Sequence, residues 1–249
     1  MLKLMKYELR KQLISKILLF GLLLFIEITF LLGILIRNED MIKVTHGLLE
    51  IIFIFGMIFM LIEPVMALYS DLGKKQGYLL FMTPNSAKSI VGAKVAMGLL
   101  QILILFSFVV GLTSINDLSI SWYFNKDINT LSNTFNAFND AGFSFRELVA
   151  TFFMLAMISV DFITLAFLAI SISYSFISIG KLNSFLSIIL FFLLFLIETL
   201  VVGVLFIAPT GSFLNATNGL IIISLLVCIL PAIGNFLGAV LLIERRISL

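Results

Sequence analysis

The stretch Ile17-Leu-Leu-Phe-Gly-Leu-Leu-Leu-Phe-Ile-Glu-Ile-Thr-Phe-Leu-Leu-Gly-Ile-Leu-Ile36 decides the fold class. A helix rises about 1.5 Å per residue, so a run of this length spans the roughly 30 Å hydrocarbon core of a bilayer. Its one ionisable residue is Glu27. Five more apolar stretches follow, at roughly 47–69, 90–115, 148–174, 184–207 and 219–243. The composition agrees: the chain is 61% hydrophobic and 12% charged, whereas soluble domains are about half apolar and about a quarter charged. Mean hydropathy is +1.19, so lipid must be part of the solvent. The sequence predicts an all-α polytopic membrane protein, one domain of six transmembrane helices over 1–249.

The run from Ile17 to Ile36 outlasts a signal peptide's apolar core, and no small-residue cleavage site follows it, so it reads as an uncleaved first span. Orientation follows from the basic residues. With the N-terminus in the cytoplasm, twelve of the 16 Lys and Arg lie inside, among them Lys3, Lys6, Arg10, Lys74, Lys75, Lys88, Lys94 and Arg245. The positive-inside rule therefore predicts that both termini are cytoplasmic. Ahead of the first span, Leu2, Met5, Leu9 and Leu13 share one helical face, and Lys3, Lys6 and Arg10 share the next. That pattern predicts an amphipathic helix lying at the interface among lipid head groups.

The segment 116–146 is polar but studded with aromatics. Ile128, Leu131, Phe135 and Phe138 recur at helical spacing, predicting a short interfacial helix that ends at Asp140-Ala-Gly142. Ser144-Phe-Arg-Glu147 then reads as a capping box opening the fourth span. Pro209 to Asn218 reads as a tight outer loop.

Several chemistries are excluded. The single cysteine, Cys228, and the single histidine, His46, leave no disulfide within the chain and no metal cluster. Ser175-Phe-Ile-Ser-Ile-Gly180-Lys181-Leu182 lacks the first Gly and the final hydroxyl of a phosphate-cradling loop. Intramembrane hydrolysis needs a Ser–His pair, paired aspartates or a metal, and none assembles. The sequence predicts no enzyme, no cofactor in this chain and no nucleic-acid partner.

The stretch between the second and third spans carries the most specific pattern. Asp71 precedes Lys74, Lys75, Gly77 and an apolar Tyr78-Leu-Leu-Phe-Met82; Thr83-Pro84, Ser86 and Gly92-x-Lys94 follow. Thr83 suits an N-cap and Pro84 a first helical position, predicting a helix that starts there and runs into the third span. This segment resembles that of the ABC-2 type permeases, the membrane subunits of one class of ATP-binding-cassette exporters. The match rests on Asp71, Gly77, Thr83-Pro84, Ser86, Gly92 and Lys94, and the span plan extends it over the whole chain. The sequence departs from larger members in its long segment after the third span and its short loop before the sixth. The resemblance implies a cytoplasmic coupling helix, with Asp71, Lys74, Lys75, Gly77, Tyr78, Thr83 and Pro84 meeting a separate ATPase that holds ATP and Mg. It also implies a second permease copy or a paralogue, in a bacterial cell membrane.

Glu27, Glu63, Asp161 and Glu198 fall inside the expected spans. Each mid-membrane carboxylate costs about 2.5–3.5 kcal/mol on insertion scales, so four call for a role. They either line a path for cationic or amphipathic cargo, or bond to hydroxyls such as Thr29, Ser159, Thr164 and Thr199 and lock helices together. Glu63-Pro64 is an alternative kink in the second span, and Pro231 an expected kink in the sixth. Gly234-x-x-x-Gly238 permits close helix approach, within the chain or across a dimer. The function expected is export of an amphipathic substrate: a bacteriocin-like or phenol-soluble-modulin-like peptide, a drug or a lipid. An ion- or proton-coupled carrier using the buried acids, and a noncatalytic immunity or scaffold protein, are the alternatives.

Overall fold

The computed structural model describes residues 2–73, 86–124, 145–176, 180–202 and 217–247. Among them run seven helices: α1 (Leu2–Lys11), α2 (Leu13–Ile36), α3 (Glu39–Gly73), α4 (Ala87–Phe124), α5 (Phe145–Phe176), α6 (Gly180–Val202) and α7 (Thr217–Ile247). Five of them, α2 to α6, are long and apolar enough to cross a membrane. The regular structure among the described residues is all helical, the chain is a multi-pass membrane protein, and α7 covers the sixth expected stretch. The expected interfacial helix over Ile128–Phe138, its stop at Asp140–Gly142 and the Ser144 cap lie outside the described residues.

Several boundaries differ from the sequence reading, for local reasons. The second span was expected from residue 47, but α3 begins at Glu39. Arg37 closes α2 in the left-handed conformation at φ 59°, while the Asn38 N–H reaches back to the Gly33 carbonyl at 3.0 Å. The Asn38 side chain then accepts the Met41 N–H at 3.1 Å, capping α3. Such a turn needs two residues, not ten. At its other end α4 runs to Phe124, well into the segment expected to be non-spanning. Asn218, expected in a loop, is already in α7.

Contacts divide the chain into two units. Unit 1 comprises Met1–Met5, Leu61–Leu99 and Val149–Leu249. Its core joins Leu68 of α3, Ala87, Ile90 and Val91 of α4, Ile163 and Phe167 of α5, and Ala239, Val240 and Ile243 of α7. Small residues set the helix spacing. A β-carbon on Gly98 would lie 2.8 Å from Ile163 Cδ1 and 3.0 Å from Pro64 Cγ. The Pro64 ring thus packs on α4, and α3 stays helical through it instead of breaking. Likewise α7 is helical through Pro231. The glycine pair on α7 splits in role: a β-carbon on Gly238 would come within 2.9 Å of Leu168 Cδ1, whereas Gly234 faces open space.

Unit 2 comprises Lys6–Met60 and Leu100–Leu148. On α2, Leu23, Ile26, Glu27, Phe30 and Ile34 form the buried stripe. On α4 the stripe is Gln101, Leu105, Val109, Leu112 and Asn116, at alternating steps of four and three residues. Gly56 lets α3 approach, since a β-carbon there would lie 3.3 Å from Leu105 Cδ2. The Phe20 and Phe108 rings meet edge-on at 4.9 Å.

The N-terminal helix exists, one residue short of joining α2, but its buried edge is polar. Glu8 and Gln12 are buried, while Tyr7, Leu9 and Leu13 are exposed. Gln12 Oε1 accepts from Gln101 Nε2 at 2.6 Å and from Lys16 Nζ at 3.0 Å. In a lipid solvent the polar edge gains most by turning inward, where partners exist.

Candidate functional site

In unit 1 the ends of four helices are tied together around the stretch that carries the coupling pattern. Asp71, two residues before the end of α3, is buried; Lys94, eight residues into α4, is 1% exposed. Lys94 Nζ donates to Asp71 Oδ2 at 2.6 Å. This is a short, charge-assisted bond, and breaking a buried pair of this kind typically costs about 3–5 kcal/mol. Beside it the Tyr69 and Ser184 hydroxyls meet at 2.5 Å, and the Tyr174 hydroxyl donates to the Tyr69 carbonyl at 3.3 Å. Gly73 sits directly against the Tyr174 hydroxyl, leaving no room for a side chain. Ser173 donates to both the carbonyl and the side-chain oxygen of Asn183, and Ser187 donates to the same carbonyl at 2.8 Å.

Of the expected coupling residues, Asp71 is therefore an internal brace. Lys74, Lys75, Gly77, Tyr78, Thr83 and Pro84 lie outside the described residues. The expected run of helix from Pro84 into the third span is interrupted. Ser86 is non-helical and caps α4, its Oγ accepting the Ser89 N–H at 3.3 Å. A serine hydroxyl immediately before Ala87 satisfies an orphan donor there, so the helix begins after it.

Two of the four expected acids converge. Asn235 of α7 donates from Nδ2 to Asp161 Oδ1 of α5 and to Glu198 Oε2 of α6, both at 3.4 Å. Glu198 and Asn235 line an open cavity of about 280 Å³, otherwise walled by Leu165, Leu194, Ile197, Val201, Pro231 and Gly234. The lining is apolar with one acidic corner, a surface suited to an amphipathic ligand carrying a positive charge. Glu63 is half-buried on α3, beside Pro64.

The hydroxyls expected to satisfy the acids do not. Thr29 donates to Ile26 O, Ser159 to Leu155 O, Thr164 to Asp161 O and Thr199 to Phe195 O. Each bonds back to its own helix, the ordinary habit of Ser and Thr in a helix interior.

Glu27 belongs to unit 2 and is buried, at 5% exposure. The Asn116 amide lies near enough to interact with its carboxyl, and His46 interacts with it electrostatically; even so, both Glu27 oxygens and both polar atoms of Asn116 fall short of full hydrogen-bond distance and angle. Asn116, Asn235 and Gln101 escaped the sequence reading. The four-and-three spacing through Leu105, Val109 and Leu112 would have placed Asn116 on the buried face had α4 been extended past residue 115. Ala232, Asn235 and Ala239 share a face in the same way.

Among the described residues no group of three or more His, Cys, Asp or Glu side chains could hold a metal ion. Comparison with family models, curated proteins and solved structures finds no match for this chain.

Proposed function

We propose that the chain is the permease subunit of an ATP-binding-cassette exporter, with six spans and both termini in the cytoplasm of a bacterial cell. A separate ATPase, holding ATP and Mg, docks on segment 74–85, and two permeases, identical or paralogous, form the path for an amphipathic substrate. The observation that carries this reading is the buried Asp71–Lys94 pair, which joins the helices on either side of that segment. A lever transmits force only if its ends are stiff. The Tyr69–Ser184 bond and the Gly73–Tyr174 contact stiffen them further by tying in α5 and α6. The cavity beside Asp161, Glu198 and Asn235 supplies a place of the right chemistry for the cargo.

The test is coexpression with the candidate ATPase, using Lys74→Glu/Lys75→Glu. The variant should insert normally and lose substrate-stimulated ATP hydrolysis by tenfold or more; unchanged stimulation overturns the docking role. The shared amide between Asp161 and Glu198 also favours a second reading, an ion- or proton-coupled carrier. Proteoliposomes holding this chain alone separate the two: uptake driven by a pH or sodium gradient without ATPase selects the carrier.

A further inference from the structure

Glu27 of α2 and Asn116 of α4 present four polar atoms to one another at 5% and 2% exposure. The amide lies near enough to the carboxyl to interact with it, but none of the four atoms reaches full hydrogen-bond distance and angle. Native proteins leave few buried polar groups unsatisfied, and a full set on two facing side chains calls for a chemical account. Counting supplies one. With the carboxyl ionised, the pair holds three acceptor oxygens, and its only donors are the two N–H groups of one amide nitrogen. The Asn116 oxygen then faces a carboxylate, and the buried charge has no cation against it from α4. With one proton added, the acid O–H donates to Asn116 Oδ1 and Asn116 Nδ2 donates to the other Glu27 oxygen. Two bonds close a ring in which each of the four atoms has a partner.

A hard metal cation takes about six oxygen ligands or more. The pair offers three, and the surrounding helical carbonyls are engaged in their own ladders. Facing Glu27 from α3 is His46, half exposed and 3.7 Å from Glu50; the group facing it from α4 is the neutral Asn116. A proton is thus the one cation that fits both the donor count and the closed space.

We infer that Glu27 and Asn116 form a proton-binding site between α2 and α4, holding one exchangeable proton in this conformation. The inference does not rest on docking of an ATPase and survives the failure of that reading. Loss of the proton removes the complementarity between the two side chains, so occupancy of the site is coupled to contact between the two helices.

The measurement is infrared difference spectroscopy on the full chain in lipid nanodiscs at neutral pH. Subtracting Glu27→Gln from wild type should leave one hydrogen-bonded carboxylic-acid carbonyl band, shifted down in D2O. Gln preserves volume and pairs with Asn116 through the same number of bonds, so the variant folds. Asn116→Leu should move the band to higher frequency, because the acid carbonyl loses its N–H donor. His46→Gln should leave it in place. Only carboxylate bands in the first difference overturn the proposal. So does a band unmoved by Asn116→Leu, or one abolished by His46→Gln, which would assign the proton to a His–Glu couple.

Discussion

Two places in the molecule set a carboxyl from one apolar helix beside an asparagine from another, and they solve the problem differently. In unit 1, Asp161 and Glu198 share the Asn235 amide at the edge of an open cavity. In unit 2, Glu27 on α2 and Asn116 on α4 are both buried, and neither makes a hydrogen bond of full geometry. Where the site is open, solvent or a ligand can support charge that the protein leaves uncompensated. Where it is closed, neutrality must come from inside. The same two residue types are therefore a receptive surface in one unit and a self-contained pair in the other. The Asp71–Lys94 pair is a third arrangement, in which full burial is matched by an opposite charge at 2.6 Å.

The largest expected effect is at that reference point. Lys94→Met strands the Asp71 carboxylate and should lower unfolding stability in detergent by about 3–5 kcal/mol. Adding Asp71→Leu to Lys94→Met should recover most of it, since removing both partners leaves no orphan charge; a double variant as unstable as the single would mean that the pair is not the brace described. Next comes accessibility. A membrane-permeant carbodiimide should modify Glu198 at least tenfold faster than Glu27, read by peptide mass spectrometry. Equal rates would erase the distinction between open and closed sites. The smallest expected effects concern packing within unit 1. Gly98→Ala forces Ile163 and Pro64 aside and should cost about 1–3 kcal/mol, whereas Gly234→Ala at the cavity edge should stay within about 0.5 kcal/mol. A costly Gly234→Ala would show that the cavity is filled by protein.

The membrane-helix plan was legible because it depends on long apolar runs: five described helices are long and apolar enough to cross a membrane, and α7 covers the sixth expected run. The residues that pair inside were far less so. Asn235 reaches Asp161 across 74 residues and Glu198 across 37, and which faces meet depends on helix rotation, which a twenty-residue apolar run does not fix. Asn116 was hidden differently: it sits just past the point where the apolar run fades, so it read as the start of a loop. The Thr83-Pro84 signal competed with Ser86, three residues on, and local capping rules do not rank two good caps so close together. The glycines on α7 looked like one motif because the sequence shows spacing, not neighbours; Leu168 meets only Gly238.

The buried Gln12, between α1 and α2, also has a history in the order of synthesis. Gln101, the partner of Gln12, lies 89 residues farther along the chain. At translation rates of about 5–20 residues per second, roughly 4–18 seconds pass between the making of the two side chains. During that interval α1 and α2 have left the ribosome, while the surface that receives Gln12 does not yet exist. Gln12 then has Lys16, one helical turn away, as its partner. Gln12 is thus seated only once α4 has been made.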